Sequence, residues 1–399
     1  MHTLTVLLTG ALLLIAIGCS EETTTTTEPL APAPQASVAA AALEFTQLSA
    51  GFFPTCGITT NSRAYCWGAN TGLGDGQRGV HFHFTPVAVA GTLSFQQVSA
   101  GDFYTCGVTT DYRAYCWGDN SNGQLGDGTT TERAAPVPVS GGLKFQQVQT
   151  SPGAATEFTC GLTYPDSRAY CWGYNQDGGL GDGTRTNRHT PVAVRGGHVF
   201  RLVSVGGAHA CGVTSTNVAF CWGDNHFGQL GDSTSVPRRL QPSRVVGLRK
   251  WRQLDAGDSH TCAVTTENRA FCWGNGRLGA IGNGKQYLSF WPRAVSGGIA
   301  FRRISAGSSH SCGETATNRT YCWGFNFDGE LGDGTTTTRL KPVSVVGGLF
   351  FNQVTAGNSH TCGKTAAGVG YCWGDNAVGQ LGDGTQTDRL APTPVAGAS

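Results

Sequence analysis

Cysteine, histidine and aspartate recur in this 399-residue chain at intervals of about fifty residues, and each type could do chemistry at that spacing. Fourteen cysteines fall in seven pairs: Cys56 and Cys66, Cys106 and Cys116, Cys160 and Cys171, Cys211 and Cys221, Cys262 and Cys272, Cys312 and Cys322, Cys362 and Cys372. In the second repeat the two cysteines are equidistant from Asp111, so a hairpin centred there sets them opposite each other, within reach of a disulfide. Zinc would need a second ligand pair in each unit, and none is present. His209, His260, His310 and His360 share one repeat position, where the first three units carry Pro54, Tyr104 and Phe158. Four imidazoles around one side of a ring could hold an ion, but a histidine hydrogen-bonded beside a glycine turn accounts for them. Asp75, Asp127, Asp182, Asp232, Asp333 and Asp383, with Asn283 in the fifth unit, mark a Leu-Gly-Asp loop. Its spacing is not that of a calcium-binding EF-hand loop, and an aspartate capping its own turn explains the recurrence. The reading therefore assigns no metal, no cofactor and no catalytic residue.

The elements that must position these residues follow from the second unit, Phe95 to Lys144. Turn residues divide it into four short strands, expected near Phe95–Ser99, Thr105–Thr109, Ala114–Gly118 and Pro136–Val139. No stretch carries a sustained helical period. Alternation gives each unit a bulky face with Tyr115 and Trp117 and a small face with Cys and Ala, so stacking buries both faces and a lone unit could bury neither. Equivalent units start at Phe45, Phe145, Phe200, Trp251, Phe301 and Phe351. The expected fold is all-β: a seven-bladed propeller of four-stranded blades over residues 44–399.

The motif W-G-x-N-x-x-G-Q-L-G-D-G, a Pro-Val strand and Ala-Gly-x-x-His-Thr/Ser together resemble the regulator of chromosome condensation repeat, over about residues 44–399. The resemblance implies a seven-bladed propeller that binds proteins through loops at one ring face. It also implies ring closure by strands from both chain ends in one blade, with Pro392–Val395 joining the strands from Phe45 onward. Light sensing, as in a plant member, is set aside because a tryptophan in all seven units is a packing device.

Residues 1–18 read as an export signal. The apolar run is too short to span a bilayer, and Leu14-Ile15-Ala16-Ile17-Gly18-Cys19 resembles a bacterial lipobox, which implies lipidation of Cys19; a plainly secreted chain is the alternative. Residues 19–43, rich in Thr, Pro and Ala, form a tether. Ser20 resembles an outer-membrane sorting signal, and an exported chain can oxidise its cysteine pairs. A formal charge of +1 favours neither nucleic acid nor anionic lipid as partner.

Function is sought where units differ. His81, Phe82, His83 and Phe84 follow the first Gly-Asp-Gly loop, and Lys285, Gln286, Tyr287, Phe290 and Trp291 follow the fifth, where other units are Thr-rich. Arg238 and Arg239 mark the fourth unit, and Ser151–Glu157 is an insertion in the third. Aromatic loop residues at one repeat position point to a binding face. The expectation is a monomeric, non-catalytic, lipid-anchored envelope module binding a protein partner through that face. A glycan-binding or glycan-acting protein is the alternative. Guanine-nucleotide exchange, implied by the family alone, comes third because an exported protein would not meet a GTPase.

Overall fold

The computed structural model describes residues 43–69, 72–79, 81–153 and 156–397. The signal, Cys19 and the tether lie outside them. Twenty-eight strands form seven four-stranded antiparallel sheets, each a simple meander. The seven-bladed propeller expected from the repeat is the fold.

Blade 2 has strands Phe95–Ala100, Tyr104–Thr109, Ala114–Gly118 and Arg133–Pro138. The last begins three residues before the predicted Pro136, because Arg133 pairs with Gly118 across a bulge. Cys106 stands directly opposite Cys116, and the same register holds in the other six blades. All seven pairs are disulfide-bonded, with Cα atoms 4.0–4.1 Å apart.

Blades are joined by a repeated contact. The tryptophan of each blade lies on the cystine of the preceding one: Trp117 packs with Cys56 and Cys66, and Trp273 with Cys211 and Cys221. Its indole N–H donates to a loop carbonyl of that same preceding blade, as from Trp117 to Gly72 at 2.8 Å and from Trp273 to Gln229 at 2.9 Å. The glycine of each Leu-Gly-Asp loop faces this indole. A Cβ at Gly231, where φ is 64°, would lie 2.6 Å from Trp273 Nε1, so both conformation and space require glycine.

The chain ends share no strand. The fourth strand of blade 7, Arg389–Pro394, pairs with Gly370–Gly374 of its own blade, and Phe45–Ala50 pairs with Pro54–Thr59. The expectation that Pro392–Val395 would complete the first blade is thus corrected. Every blade is contiguous in sequence, and the ring closes by the same side-by-side contacts used between other blades. Trp67 packs on Cys362 and Cys372 and donates to the Gln380 carbonyl at 3.0 Å, while the Gln353 amide donates to the Leu48 carbonyl at 2.8 Å. No sheet ladder is needed because each interface already buries a Trp–cystine contact.

Candidate functional site: the two ends of the ring

The meander sends the turn between first and second strands, and the loop between third and fourth, to one end of the ring (the loop end). The second-to-third hairpin and the connection to the next blade lie at the other (the hairpin end). First strands line a central cavity of about 230 Å³.

At the loop end most recurring polar residues are structural. The four histidines are at most 1% exposed and bridge blades, with Nε2 2.8–2.9 Å from the hydroxyls of Thr261, Ser311, Thr361 and Thr55. Those hydroxyls themselves donate to loop carbonyls, so they accept from the histidine Nε2–H. In blade 2, Tyr104 takes over by donating to the Phe158 carbonyl at 2.6 Å. Hydrogen bonding accounts for the histidine row, as expected.

The aspartate row forms a clasp. Asp127, Asp182, Asp232, Asp333 and Asp383 each accept from Arg133, Arg188, Arg239, Arg339 and Arg389 on the following strand, at 2.8–3.0 Å from Nε. Burial alone would raise the Asp333 carboxyl. The Thr335 hydroxyl, the Arg339 guanidinium and the Thr335 amide together hold it below its usual value. Replacing Asp333 by Ala should destabilise the protein by about 1–2 kcal/mol, discounted because Arg339 is 36% exposed. Urea unfolding checks this; a loss above about 4 kcal/mol would mean that the clasp does more than close its loop.

Several residues assigned to binding are reassigned by this pattern. Arg239 is the fourth blade's clasp arginine, not a feature of that blade alone. Phe84 and Phe290 are not on loops: they lie on the strands Phe82–Ala88 and Leu288–Ala294. Their carbonyls accept from Gly384 and Ser233 of the preceding blade, in the role Leu240, Leu340 and Leu390 play elsewhere, and their rings stand over Gly379 and Gly228. They are blade-packing residues.

The remaining assigned residues stay blade-specific. Phe82 and Trp291 are each 43% exposed, and Lys285 and Gln286 are exposed. The Arg293 guanidinium lies 4.5 Å from the Trp291 ring centroid and 5.8 Å from that of Tyr287, whose hydroxyl accepts from Asn283 at 2.8 Å. Arg238 reaches Asp177 at 3.9 Å. His81 and His83 both meet Asp75. Although blades 1 and 5 present these segments at the same repeat position, blades 6 and 7 intervene on the shorter way round. They therefore do not make one patch. Of the third-unit insertion, Ser151 and Glu157 are buried and the Thr156 hydroxyl donates to the Gly207 carbonyl.

The hairpin end holds a site the repeat comparison had not singled out. A glutamine at the third position of the first strand normally ties each blade to the next: Gln47, Gln97, Gln147, Gln253 and Gln353 donate to Val98, Val148, Val203, Ile304 and Leu48 carbonyls at 2.7–2.9 Å. Blade 4 has Leu202 there, and blade 6 has Arg303. Two residues after the first cysteine, five blades carry Ile58, Val108, Leu162, Val213 and Val264, but blades 6 and 7 carry Glu314 and Lys364. Glu314 is 2% exposed and replaces the missing glutamine by accepting from the Val354 amide at 2.6 Å and from Arg302 at 2.8 Å. A mouth of about 550 Å³ opens here, lined by Arg302, Arg303, Lys364, Asn352 and glutamines. Arg303 forms no ion pair among the described residues. Burial and the neighbouring Arg303 push the Lys364 ammonium below its ordinary value, with Glu314 opposing. Arg201 is held low by burial and by Arg252. Hairpin tips add Arg63, Arg113, Arg168, Arg269 and Arg319.

The opposite end gathers buried carboxyls. Asp102 is 0% exposed with no hydrogen-bond partner at either oxygen among the described residues, and burial, then Glu157 and Asp119, push it up to about 7. Burial likewise raises Asp258 and Glu330, the latter to about 7. A net charge of +1 thus conceals an uneven distribution, with arginine and lysine at the mouth of one end and buried carboxyls at the other.

The Regulator of chromosome condensation (RCC1) repeat matches residues 112–161, 166–213, 218–264, 267–313, 318–363 and 368–399. This chain belongs to the RCC1-repeat family. A second form of the RCC1 repeat matches residues 45–77 and 95–124 among others, covering the first blades. The Arabidopsis thaliana ultraviolet-B receptor UVR8 is 29% identical to this RCC1-repeat protein over 150 residues, 35% of this chain and 33% of the receptor. The human probable E3 ubiquitin-protein ligase HERC4 is 31% identical over 134 residues, 32% of this chain and 13% of the ligase. The matches thus cover at most a third of these relatives. Among solved structures, Prp20p of Saccharomyces cerevisiae, described with its binding to Gsp1p and histones, superposes with a TM-score of 0.73 at 20% identity over 88% of this chain and 87% of that one. Human WBSCR16 gives 0.71 at 22% identity, covering 80% and 86%. These likenesses show the fold.

Proposed function

We propose that this RCC1-repeat protein is a non-catalytic, lipid-anchored module of a bacterial cell envelope that receives an acidic protein partner at the hairpin end of its ring. The observation that carries the reading is the break in the repeat at the channel mouth. Arg303 and Lys364 replace a glutamine and an apolar residue, so positive charge gathers where the other blades place none. Guanidinium groups pair with carboxylates bidentately, and a mouth of one sign raises the rate and selectivity of docking. Seven disulfides fit an oxidising, extracytoplasmic compartment, and the lipobox at Cys19 supplies the anchor. No helix among the described residues is long and apolar enough to cross a membrane. The protein binding described for Prp20p is consistent with a ring that acts by docking.

The test compares partners captured from envelope extracts by the wild type and by R303E/K364E, with F82A/W291A as the control for the other end. The charge-reversed protein should lose its acidic partner by about 30-fold or more in affinity, and wild-type binding should weaken steeply with salt. Equal capture by wild type and R303E/K364E, or loss only in F82A/W291A, would return the site to the loop end. Diacylglyceryl on Cys19 in the mature N-terminal peptide, and release from membranes on Cys19→Ser, check the anchor.

A further inference from the structure

We propose that Asp75, His81 and His83 of blade 1 form a binding site for a divalent transition-metal ion, zinc by its donor set. In five blades the loop aspartate is neutralised by the clasp arginine. Blade 1 lacks it: His83 pairs with Gly68, as Arg133 pairs with Gly118. The run from Asp75 to this position is two residues longer than the run from Asp127 to Arg133, and the extra length brings in His81.

Both imidazoles converge on one carboxylate oxygen, with His81 Nε2 3.1 Å and His83 Nε2 3.0 Å from Asp75 Oδ2. One donor atom from each residue lies within 4.8 Å of the others. Zinc bonds to nitrogen and oxygen are about 2.0–2.2 Å long, which sets tetrahedral donors roughly 3.3 Å apart. Only small side-chain shifts separate this arrangement from a metal-bound one.

The His81 ring is already oriented. Its Nδ1 lies 3.1 Å from the Gly79 carbonyl, which can only accept, so Nδ1 carries the hydrogen. Its Nε2 lone pair then faces the Asp75 oxygen 3.1 Å away, and a divalent cation would accept from both. An N–H given to a backbone carbonyl is the outer contact that metal-binding histidines make. Asp75 is 3% exposed, but the histidine side chains are 21% and 23% exposed, so an ion can enter and keep a water or partner ligand in its fourth position. A single carboxylate suits zinc, nickel or cobalt rather than calcium, which requires six to eight oxygens. The fourteen blade cysteines are all in disulfides and offer no competing thiolate.

The experiment uses the full chain, stripped with chelator and titrated with zinc by calorimetry, and separately with cobalt followed by visible absorption. One zinc per chain and the intense absorption of tetrahedral cobalt are expected. His83→Arg, which rebuilds the clasp of the sister blades, should keep the fold and lower zinc affinity by more than about 100-fold. His81→Ala should do the same without touching a strand. Melting temperatures in chelator, equal for all three proteins, separate loss of metal from loss of fold. Zinc binding that both variants retain, or no stoichiometric binding by the wild type tighter than about 10 μM (~7 kcal/mol), would overturn the site.

Discussion

Reduction of the disulfides should unfold the propeller. Each closes a hairpin loop of about ten residues, and by chain entropy each contributes about 2–3 kcal/mol. Seven such contributions exceed the roughly 5–15 kcal/mol that a folded domain has in total. The cystines also form the small face on which the next tryptophan lies, so their loss reaches the interfaces. For one blade, C211A/C221A should cost about 3–5 kcal/mol, the chain-entropy part plus the void left under Trp273. Thermal unfolding of native, singly substituted and fully reduced protein checks the order of effects. A reduced protein melting within a few degrees of the oxidised one would show that Trp and backbone packing suffice. Intact mass should fall short of the all-thiol mass by the hydrogens of seven cystines.

Acid should unfold the protein abruptly below about pH 4, because of the buried histidines. Burial pushes His209 down to about 4 and His260, His310 and His360 to about 3. In the unfolded chain they titrate near 6.5. Between those values the unfolded state binds more protons, so stability falls as pH falls. Asp102 and Glu330 act in the opposite sense. Their carboxyls hold protons up to about 7 in the folded state but release them near 4 when unfolded, so they add stability as pH falls from 7 to 4. In that window the two carboxyls offset two of the four histidines, leaving a slope of about 3 kcal/mol per pH unit. Below about 4 the carboxyl contribution is complete, and the clasp aspartates, held low in the fold, begin to lose theirs in the same direction as the histidines. Three histidines alone give a slope of about 4 kcal/mol per pH unit. Urea unfolding at pH 7, 5, 4 and 3.5 should show stability falling from about pH 6 and falling more steeply below about pH 4. His260→Gln, which can still donate to Ser311, should reduce the slope by about one proton. An unchanged slope in that variant would remove the histidines as the cause.

How much was legible in advance follows from the range over which each residue acts. Cys106 and Cys116 declare their pairing because a hairpin register is local, and Trp117 declares a blade interface because every blade repeats it. Ring closure was misplaced because a strand completing its own blade and one completing the first blade have the same sequence; only pairing across the whole ring separates them. Phe84, Phe290 and Arg239 looked distinctive because their neighbours carry Leu or a one-residue offset, yet register puts them in shared packing and clasp positions. Arg303, Glu314 and Lys364 could have been found by asking which apolar or glutamine positions turn charged, since that signal lies in the aligned repeats.

The sequence by itself determined the seven blades, the cystine hairpins and the packing of a tryptophan face on a small face between blades, because these are short-range constraints repeated until no other assembly could bury them. The tertiary structure decided how charge is distributed and which odd residues meet. Folding each meander gathers the aspartate loops at one end and the hairpin arginines at the other, a separation that the formal charge of +1 does not reveal. It also brings Asp75, His81 and His83 onto one oxygen, a convergence of loop and strand that residue spacing alone does not reveal.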